Sequence, residues 1–193
     1  MNEKMKRQRL RILLEKSIIR DEERKRLKRS AMSSINEVLI SLNSTLNGLD
    51  NDQVKNSRNI YGQNHIEDCD KKGVIVRLKD KIKEPKYTVT RKENSEKCIP
   101  CRKIVVGDII HLFKGDTVPA DLRVIEAEEL VVNESLMNSD RKSVKKDAGI
   151  CACESGKLND FFNILLMGTY IVSGSAKAVV VSVGEHTILG TMK

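Results

Sequence analysis

Val105-Val-Gly107-Asp108-Ile-Ile-His-Leu-Phe-Lys-Gly115-Asp116-Thr-Val-Pro119-Ala-Asp121-Leu-Arg123-Val-Ile125, running on through Leu130-Val-Val-Asn133-Glu134-Ser135-Leu-Met-Asn138-Ser139-Asp140-Arg141-Lys-Ser-Val144, is the stretch that decides the fold. It reads as strand, turn, strand, loop. Val105, Ile109, Val124 and Val132 are β-branched and favour pleated, half-buried backbone. Gly107-Asp108 and Gly115-Asp116 supply turn chemistry at either end of a short strand. Pro119 has no N–H to give a ladder, so the segment after it is a strand start or an edge.

Several fixed spacings in this stretch agree at once with one family. Gly107-Asp108-Ile109-Ile110, Gly115-Asp116, Val118-Pro119-Ala120-Asp121-Leu122-Arg123 and Asn133-Glu134-Ser135 together resemble the actuator domain of P-type cation-transporting ATPases. The resemblance implies an α+β chain: a distorted β jelly roll preceded by short N-terminal helices. It also implies a role. In that family the actuator rotates during transport, and a Thr-Gly-Glu-Ser loop promotes hydrolysis of an aspartyl phosphate on another domain. Aligning Glu134-Ser135 on one side and Val144 on the other puts Asn138-Ser139-Asp140-Arg141 where that loop belongs.

The tetrapeptide has diverged, and the change has physical content. A carboxylate that polarises an attacking water must stand within about 2.6 to 3.2 Å of it. Asp140, the candidate catalytic residue, is one methylene shorter than the Glu it replaces, so the backbone would have to move to restore that contact. Ser139 stands for a Gly that adopts positive φ at no steric cost, and Arg141 puts a large cation where a small hydroxyl stood. The competing reading of Asp140 is a solvated residue in a polar loop.

Composition bounds the rest. A chain of 193 residues suits one domain of ordinary size plus an extension. Aromatic residues make up 3% with no Trp, so the core depends on Val, Ile and Leu. The formal charge is +8, and Met1 to Ser30 carries twelve Lys plus Arg against five Asp plus Glu. A basic tail of this kind meets anionic lipid, here through residues 1–30, or else is a solvated helix face. Nucleic acid is disfavoured as a partner, because no aromatic stacking platform or recognition motif accompanies the charge. No run reaches the 18 or so apolar residues of a membrane span, and no apolar signal-peptide core follows the start, so the isolated chain is expected to be soluble and cytoplasmic. Five cysteines without a secretory context read as reduced thiols. Cys98-Ile-Pro-Cys101 and Cys151-Ala-Cys153 have ligand-like spacing, but the pairs are far apart and Pro100 suits a strand entry, so no metal site is assigned.

Taken in order, Met5 to Lys28 carries good helix formers with Leu10, Leu13, Leu14, Ile18 and Leu27 mostly three and four apart, an amphipathic basic helix. Ser34 with Glu37, and Asp50 with Gln53, are capping-box pairs opening two further helices. Leu49 and Val54 are placed for a hydrophobic staple, and Gly62 for a left-handed cap. Gly48-Leu49, Val54, Arg58 and Tyr61-Gly62-Gln63-Asn64 also resemble the cation-ATPase N-terminal motif, in the family's order, and the helices before them look most like the extension of bacterial magnesium-importing pumps. The organisation is therefore a basic helix over 1–33, the N-terminal motif over 34–66, a linker over 67–73 and the actuator over 74–193. In the family a pair of membrane helices stands where only the short charged linker stands here.

Beyond the linker, Val74, Val76 and Leu78 alternate as a strand, Tyr87 to Thr90 is a second, and Glu93-Asn94-Ser95 is a turn. Lys145 to Asp160 reads as an exposed loop. Asn163 to Gly190 reads as two strands joined through Ser173-Gly174, with Ala178 to Val181 central in the sheet and His186 in a surface turn. Its Gly168-Thr169, Gly174 and Gly184-Glu-His-Thr187-Ile-Leu-Gly190 resemble the actuator's closing segment. The resemblance implies a module whose partners are the phosphorylation and nucleotide domains and the membrane helices of a parent pump, at the cytoplasmic face of a membrane. The parent would use ATP and magnesium. This chain lacks the Asp-Lys-Thr-Gly phosphorylation motif, so by itself it is expected to be no ATPase. The alternative is a free-standing interaction or regulatory protein that binds a pump or an anionic membrane surface.

Overall fold

A computed structural model describes residues 3–66, 84–92, 96–135, 143–152 and 160–192, with side chains from residue 17 onward. The strand expected over Val74 to Leu78, the linker, the turn at 93–95 and the tetrapeptide 138–141 lie outside the described residues.

The alternating apolar segments build one antiparallel sheet. Its strands are β1 (Lys86–Thr90), β2 (Glu96–Pro100), β3 (Ile109–Phe113), β4 (Asp121–Asn133), β5 (Val144–Lys145), β6 (Ile164–Leu165) and β7 (Tyr170–Ser182). They run in the order β2-β1-β3-β7-β4-β5, with β6 also on β4. The 13-residue strands β4 and β7 form the centre. Val179 pairs with Ile109 on one side and Arg123 on the other. This explains why Ala178 to Val181 is apolar on both faces: all four are buried. Leu122, Val124, Leu130 and Val132 join Ala178 and Val180 in the main core.

Three expectations are corrected here. Ser173-Gly174 joins no two strands, because β7 runs unbroken and β4 pairs along both halves, Glu128 with Ser175 and Val131 with Ser173. Gly174 instead sits at a bulge: its φ is 78°, Glu129 opposite has φ 44°, and a Cβ on Gly174 would stand 2.1 Å from the Glu128 carbonyl oxygen. Pro100 closes β2 rather than entering it, opposite Lys86. The described part of the expected exposed loop is partly interior, with Lys146 and Cys151 2% and 1% exposed, because each meets a partner remote in sequence. Pro119 precedes β4, a strand start rather than an edge.

The helices cover one side of this sheet. α1 (Glu3–Met32) extends past the expected ends, and α2 (Ile35–Ser41) and α3 (Asn51–Tyr61) open with the two capping boxes. Of the apolar positions expected on α1, Leu27 is buried against Phe161, Ile164, Leu166 and Val181, whereas Ile18 is 59% exposed. The side chains of Leu10, Leu13 and Leu14 lie outside those described. Val38 and Leu39 of α2 pack on Ile109, Ile125 and Val179, and Leu49 meets Val54 and Val105, completing the staple. Gly62 takes a positive φ of 77°, but its ψ of −163° makes the exit extended rather than left-handed helical. Ser34→Ala would remove the Ser34 Oγ, which accepts from Glu37 N and donates to Glu37 Oε2, while the backbone N–H of residue 34 keeps its bond to the Glu37 carboxylate. The expected result is a loss of about 1 kcal/mol in urea denaturation.

Candidate functional site

The loop that should carry chemistry leaves the sheet at Asn133 and returns at Val144. Its roots are held by main-chain pairing of Val132 with Val144 and Val131 with Lys145. Asn133 Oδ1 accepts from Ser135 N at 2.9 Å, turning the chain out of β4. Directly below, Glu134 and Lys146 form an ion pair at 2.5 Å with side chains 2% and 1% exposed. Lys146 Nζ also donates to Phe161 O at 3.1 Å. The second Glu134 oxygen, Oε2, is buried without a hydrogen-bond partner among the described residues. The pair spans the two roots and fixes their separation, so it sets where a loop over 136–142 starts and ends. Asn138, Ser139, Asp140 and Arg141 themselves lie outside the described residues.

The motif aspartates work as acceptors for backbone. Asp108 is fully buried, bidentate with Arg91 at 2.9 and 2.7 Å, and accepts from Val105 N. Burial nevertheless holds its carboxyl above the usual carboxylate range, against the pull of Arg91. Asp116 Oδ2 accepts from Phe113 N across the Gly115 turn. Asp121 accepts from Met167 N at 2.8 Å and Ile188 N at 2.7 Å, tying the first residue of the central strand to the closing segment. Burial pushes its carboxyl up to about 7, although both backbone bonds favour the ionised form.

The helical motif and the sheet meet at Asn64. Its side chain donates to Pro119 O at 2.9 Å and Cys101 O at 3.2 Å, and accepts from Gly184 N at 3.0 Å. Three separate segments therefore converge on one buried amide. Ser57 Oγ adds a bond to Val106 O, and Ser44 Oγ one to Gly107 O.

Contacts not foreseen from the sequence dock α1. Arg123, with no exposed surface, donates to Ser30 O, Ala148 O, Gly149 O and Val124 O. Asn163 Nδ2 donates to Ala31 O and Gly149 O. Glu23 accepts from Ser182 Oγ at 2.7 Å and lies 3.3 Å from His186 Nδ1. His186 is in the surface turn expected of it, Gly184–His186, but the carboxylate beside it comes from α1, so no local signal could have found the pair. Cys98 and Cys101 lie at the β2 end while Cys151 is buried in the α1 cluster. Among the described residues no three His, Cys, Asp or Glu side chains group as a metal would require.

The charges at this contact give the docking an expected pH dependence. Burial raises the Glu23 carboxyl, but the bonds from His186 and Ser182 outweigh it and hold the group below its usual range. The Glu23 bond holds His186 above its usual range. The His186 contribution is therefore full below its ordinary titration and is lost as pH rises through the raised value. The Glu23 contribution is lost as pH falls through its lowered value. Asp121, titrating near 7 in the fold, makes ionisation toward neutral pH a cost. All three place the optimum in mild acid. The denaturation midpoint is expected to be higher at about pH 6 than at about pH 8, by on the order of 1 kcal/mol after screening at half-exposed His186, with part of the slope removed in His186→Gln.

The family model described as the P-type ATPase actuator domain matches residues 81–193, and that described as cation transporter/ATPase, N-terminus, matches residues 31–89. The chain is 34% identical over 104 residues to a calcium-transporting ATPase of Bacillus subtilis, covering 54% of this chain and 12% of the relative. It is 36% identical over 100 residues to magnesium-transporting ATPase, P-type 1, of Escherichia coli, covering 52% and 11%. It is 37% identical over 105 residues to the endoplasmic reticulum calcium ATPase srcA of Aspergillus fumigatus, covering 53% and 11%. The matched part thus spans only 11 to 12% of the length of these relatives. Among the described residues no helix is long and apolar enough to cross a membrane.

Proposed function

Because the chain belongs to the P-type ATPase family, with an actuator domain and a cation-ATPase N-terminal motif, we propose that it couples aspartyl-phosphate turnover to ion movement in a cation-transporting pump. The observation that carries this reading is the Asn64 junction. It fastens the N-terminal motif to both Pro119 of the Val-Pro-Ala-Asp turn and Gly184 of the closing segment, so the helices and the sheet would turn as one body. The jelly-roll description of the sheet belongs to the same reading. So does a position at the cytoplasmic face of a membrane, against the phosphorylation and nucleotide domains and the membrane helices of a parent that uses ATP and magnesium. Magnesium as cargo is supported by the likeness of the N-terminal helices to the extension of bacterial importers. Loss of radiolabelled magnesium uptake, but not calcium uptake, on deleting the gene is the result that reading expects.

The dephosphorylation loop is degenerate in this proposal. Ser139, Asp140 and Arg141 would hold a water poorly, so phosphoenzyme decay should be slow. The test is a chimera in which residues 96–193 replace the matching segment of the Escherichia coli magnesium-transporting relative. Restoring Thr-Gly-Glu-Ser at 138–141 is expected to speed phosphoenzyme decay by about 100-fold, within the range typical of one positioned general base. Equal decay in the two chimeras would refute degeneracy and make Asp140 a working carboxylate.

One observation favours a second reading. Between Ile66 and Glu84 the sequence is a short charged run, Glu67-Asp-Cys-Asp-Lys-Lys-Gly73 and onward, where the family resemblance implies a membrane hairpin. A free-standing interaction module, held at a pump or an anionic surface by residues 1–30, fits that run. Salt-sensitive binding to anionic vesicles that disappears on deleting 1–29 is its expected signature.

A further inference from the structure

Between α1, α2 and the end of α3 lies a cavity of about 470 Å³, with walls that include Arg26, Arg29, Ser30, Ser33, Ser41 and Tyr61. The three α1 residues, Arg26, Arg29 and Ser30, fall at i, i+3 and i+4, so they share one face of the helix, and Ser33 follows just past its end. A second cavity of about 480 Å³ shares Arg29 and Ser33 and adds Lys25 and Lys28. Lys25 and Lys28 border this second hollow, and Arg26 and Arg29 border the first.

Their donors are largely unused. Arg26 lies over the Tyr61 ring, 4.6 Å from its centroid, which fixes the guanidinium plane. Its nearest carboxylate, Glu23, is 3.8 Å away, beyond hydrogen-bond reach, and is already engaged by Ser182 and His186. Arg26 accordingly has no hydrogen-bond acceptor among the described residues. Among the described residues Arg29 uses only Nε, in a 3.4 Å bond to Lys25 O, so neither terminal nitrogen has an acceptor there. The one acidic wall, Glu37, has its Oε2 turned to Ser34, accepting from Ser34 N and Oγ at 2.8 and 2.9 Å. Val38 and Leu42 supply an apolar floor beside these groups.

We propose that this hollow is a binding site for a small phosphate monoester, its phosphate held by Arg26 and Arg29 and its organic body against Tyr61, Val38 and Leu42. Planar guanidinium forks match phosphate oxygens bidentately, which ammonium groups do not. The volume lies in the range of about 300 to 1,000 Å³ usual for small-molecule sites and is far too small for a nucleic-acid duplex. The site is formed by the helices alone, so it stands whether or not the loop at 138–141 turns over a phosphoenzyme.

Titration calorimetry of the purified chain with glycerol 3-phosphate, adenosine monophosphate and inorganic phosphate tests the site. The expected result is saturable binding of at least one ester, tighter than inorganic phosphate, weakened roughly tenfold by Arg29→Ala. Arg29 is exposed, so that variant should fold normally, as a circular dichroism spectrum would verify. Ser33→Ala, which removes a hydroxyl on the same wall, should weaken binding further in the double variant. No saturable binding of any of the three at about 10 mM, a ligand concentration that would half-fill even a very weak site, overturns the proposal. Binding that is unchanged in Arg29→Ala, or inorganic phosphate binding as tightly as the esters, also overturns it.

Discussion

Arg123→Ala is expected to release α1 from the sheet and to cost roughly 3 to 5 kcal/mol of stability, from the cavity left by a large buried side chain together with carbonyls left without donors. The guanidinium stands where the last turn of α1 presents carbonyls that have no helical partner, and it donates to Ser30 O at 3.0 Å. Its other nitrogens take Val124 O, Ala148 O and Gly149 O. Among the described residues no carboxylate neutralises it; the compensation is these carbonyls together with the negative end of the α1 dipole. Burial lowers its pKa to about 10, so it stays charged at neutral pH while paying for its desolvation. Alanine would leave these carbonyls facing a cavity with too few donors. Urea denaturation should show the loss, and limited proteolysis should cut within α1 at a protease level that spares the parent chain. Asn163→Ala, which removes the bonds to Ala31 O and Gly149 O, should cost less, about 1 to 3 kcal/mol. A loss below about 1 kcal/mol for Arg123→Ala would mean that Leu27 and Ala31 hold the helix without it.

How much of this was legible follows from where each partner lies in the chain. The capping boxes at Ser34 and Asp50, the staple of Leu49 with Val54 and the burial of Ala178 to Val181 depend on neighbours within a few residues or on unbroken apolar runs, and all were readable. The bulge at Gly174 was misread as a turn because a positive φ serves both, and only the pairing of β4 along both halves of β7 distinguishes them. Lys146 looked like a loop residue because its carboxylate stands on the far side of 136–142. Glu23 looked like part of a solvated charge run for the same reason, its partners Ser182 and His186 being at the other end of the chain. Arg123 was read as a motif letter; its task of capping a helix built from residues 3–32 has no local trace. The candidate loop was legible only by its position between Glu134 and Val144, and its residues 138–141 stay outside the described structure.

The roots of that loop carry the other large effect. Lys146→Met is expected to cost roughly 3 to 5 kcal/mol, because it strands the Glu134 carboxylate in the interior, where its second oxygen has no partner among the described residues. The instructive comparison is the double variant Glu134→Met/Lys146→Met. If the pair is a means of spacing the two roots rather than a source of net stability, replacing both charges with apolar chains of similar size should recover most of the loss. The remainder should be about 1 kcal/mol, because among the described residues Phe161 O then keeps only the 3.4 Å bond from Ile164 N. Denaturation of the two singles and the double closes the cycle. A double variant no more stable than Lys146→Met would show that the pair itself supplies stability, in which case desolvation is not the dominant cost here. A recovered fold has a further consequence for the loop. The methionines restore volume but not the fixed 2.5 Å contact between the strands, so the double variant should keep its stability while the 136–142 segment becomes easier to cleave than in the parent chain. Such a separation would assign the ion pair to positioning the loop, with the packed sheet supplying the stability.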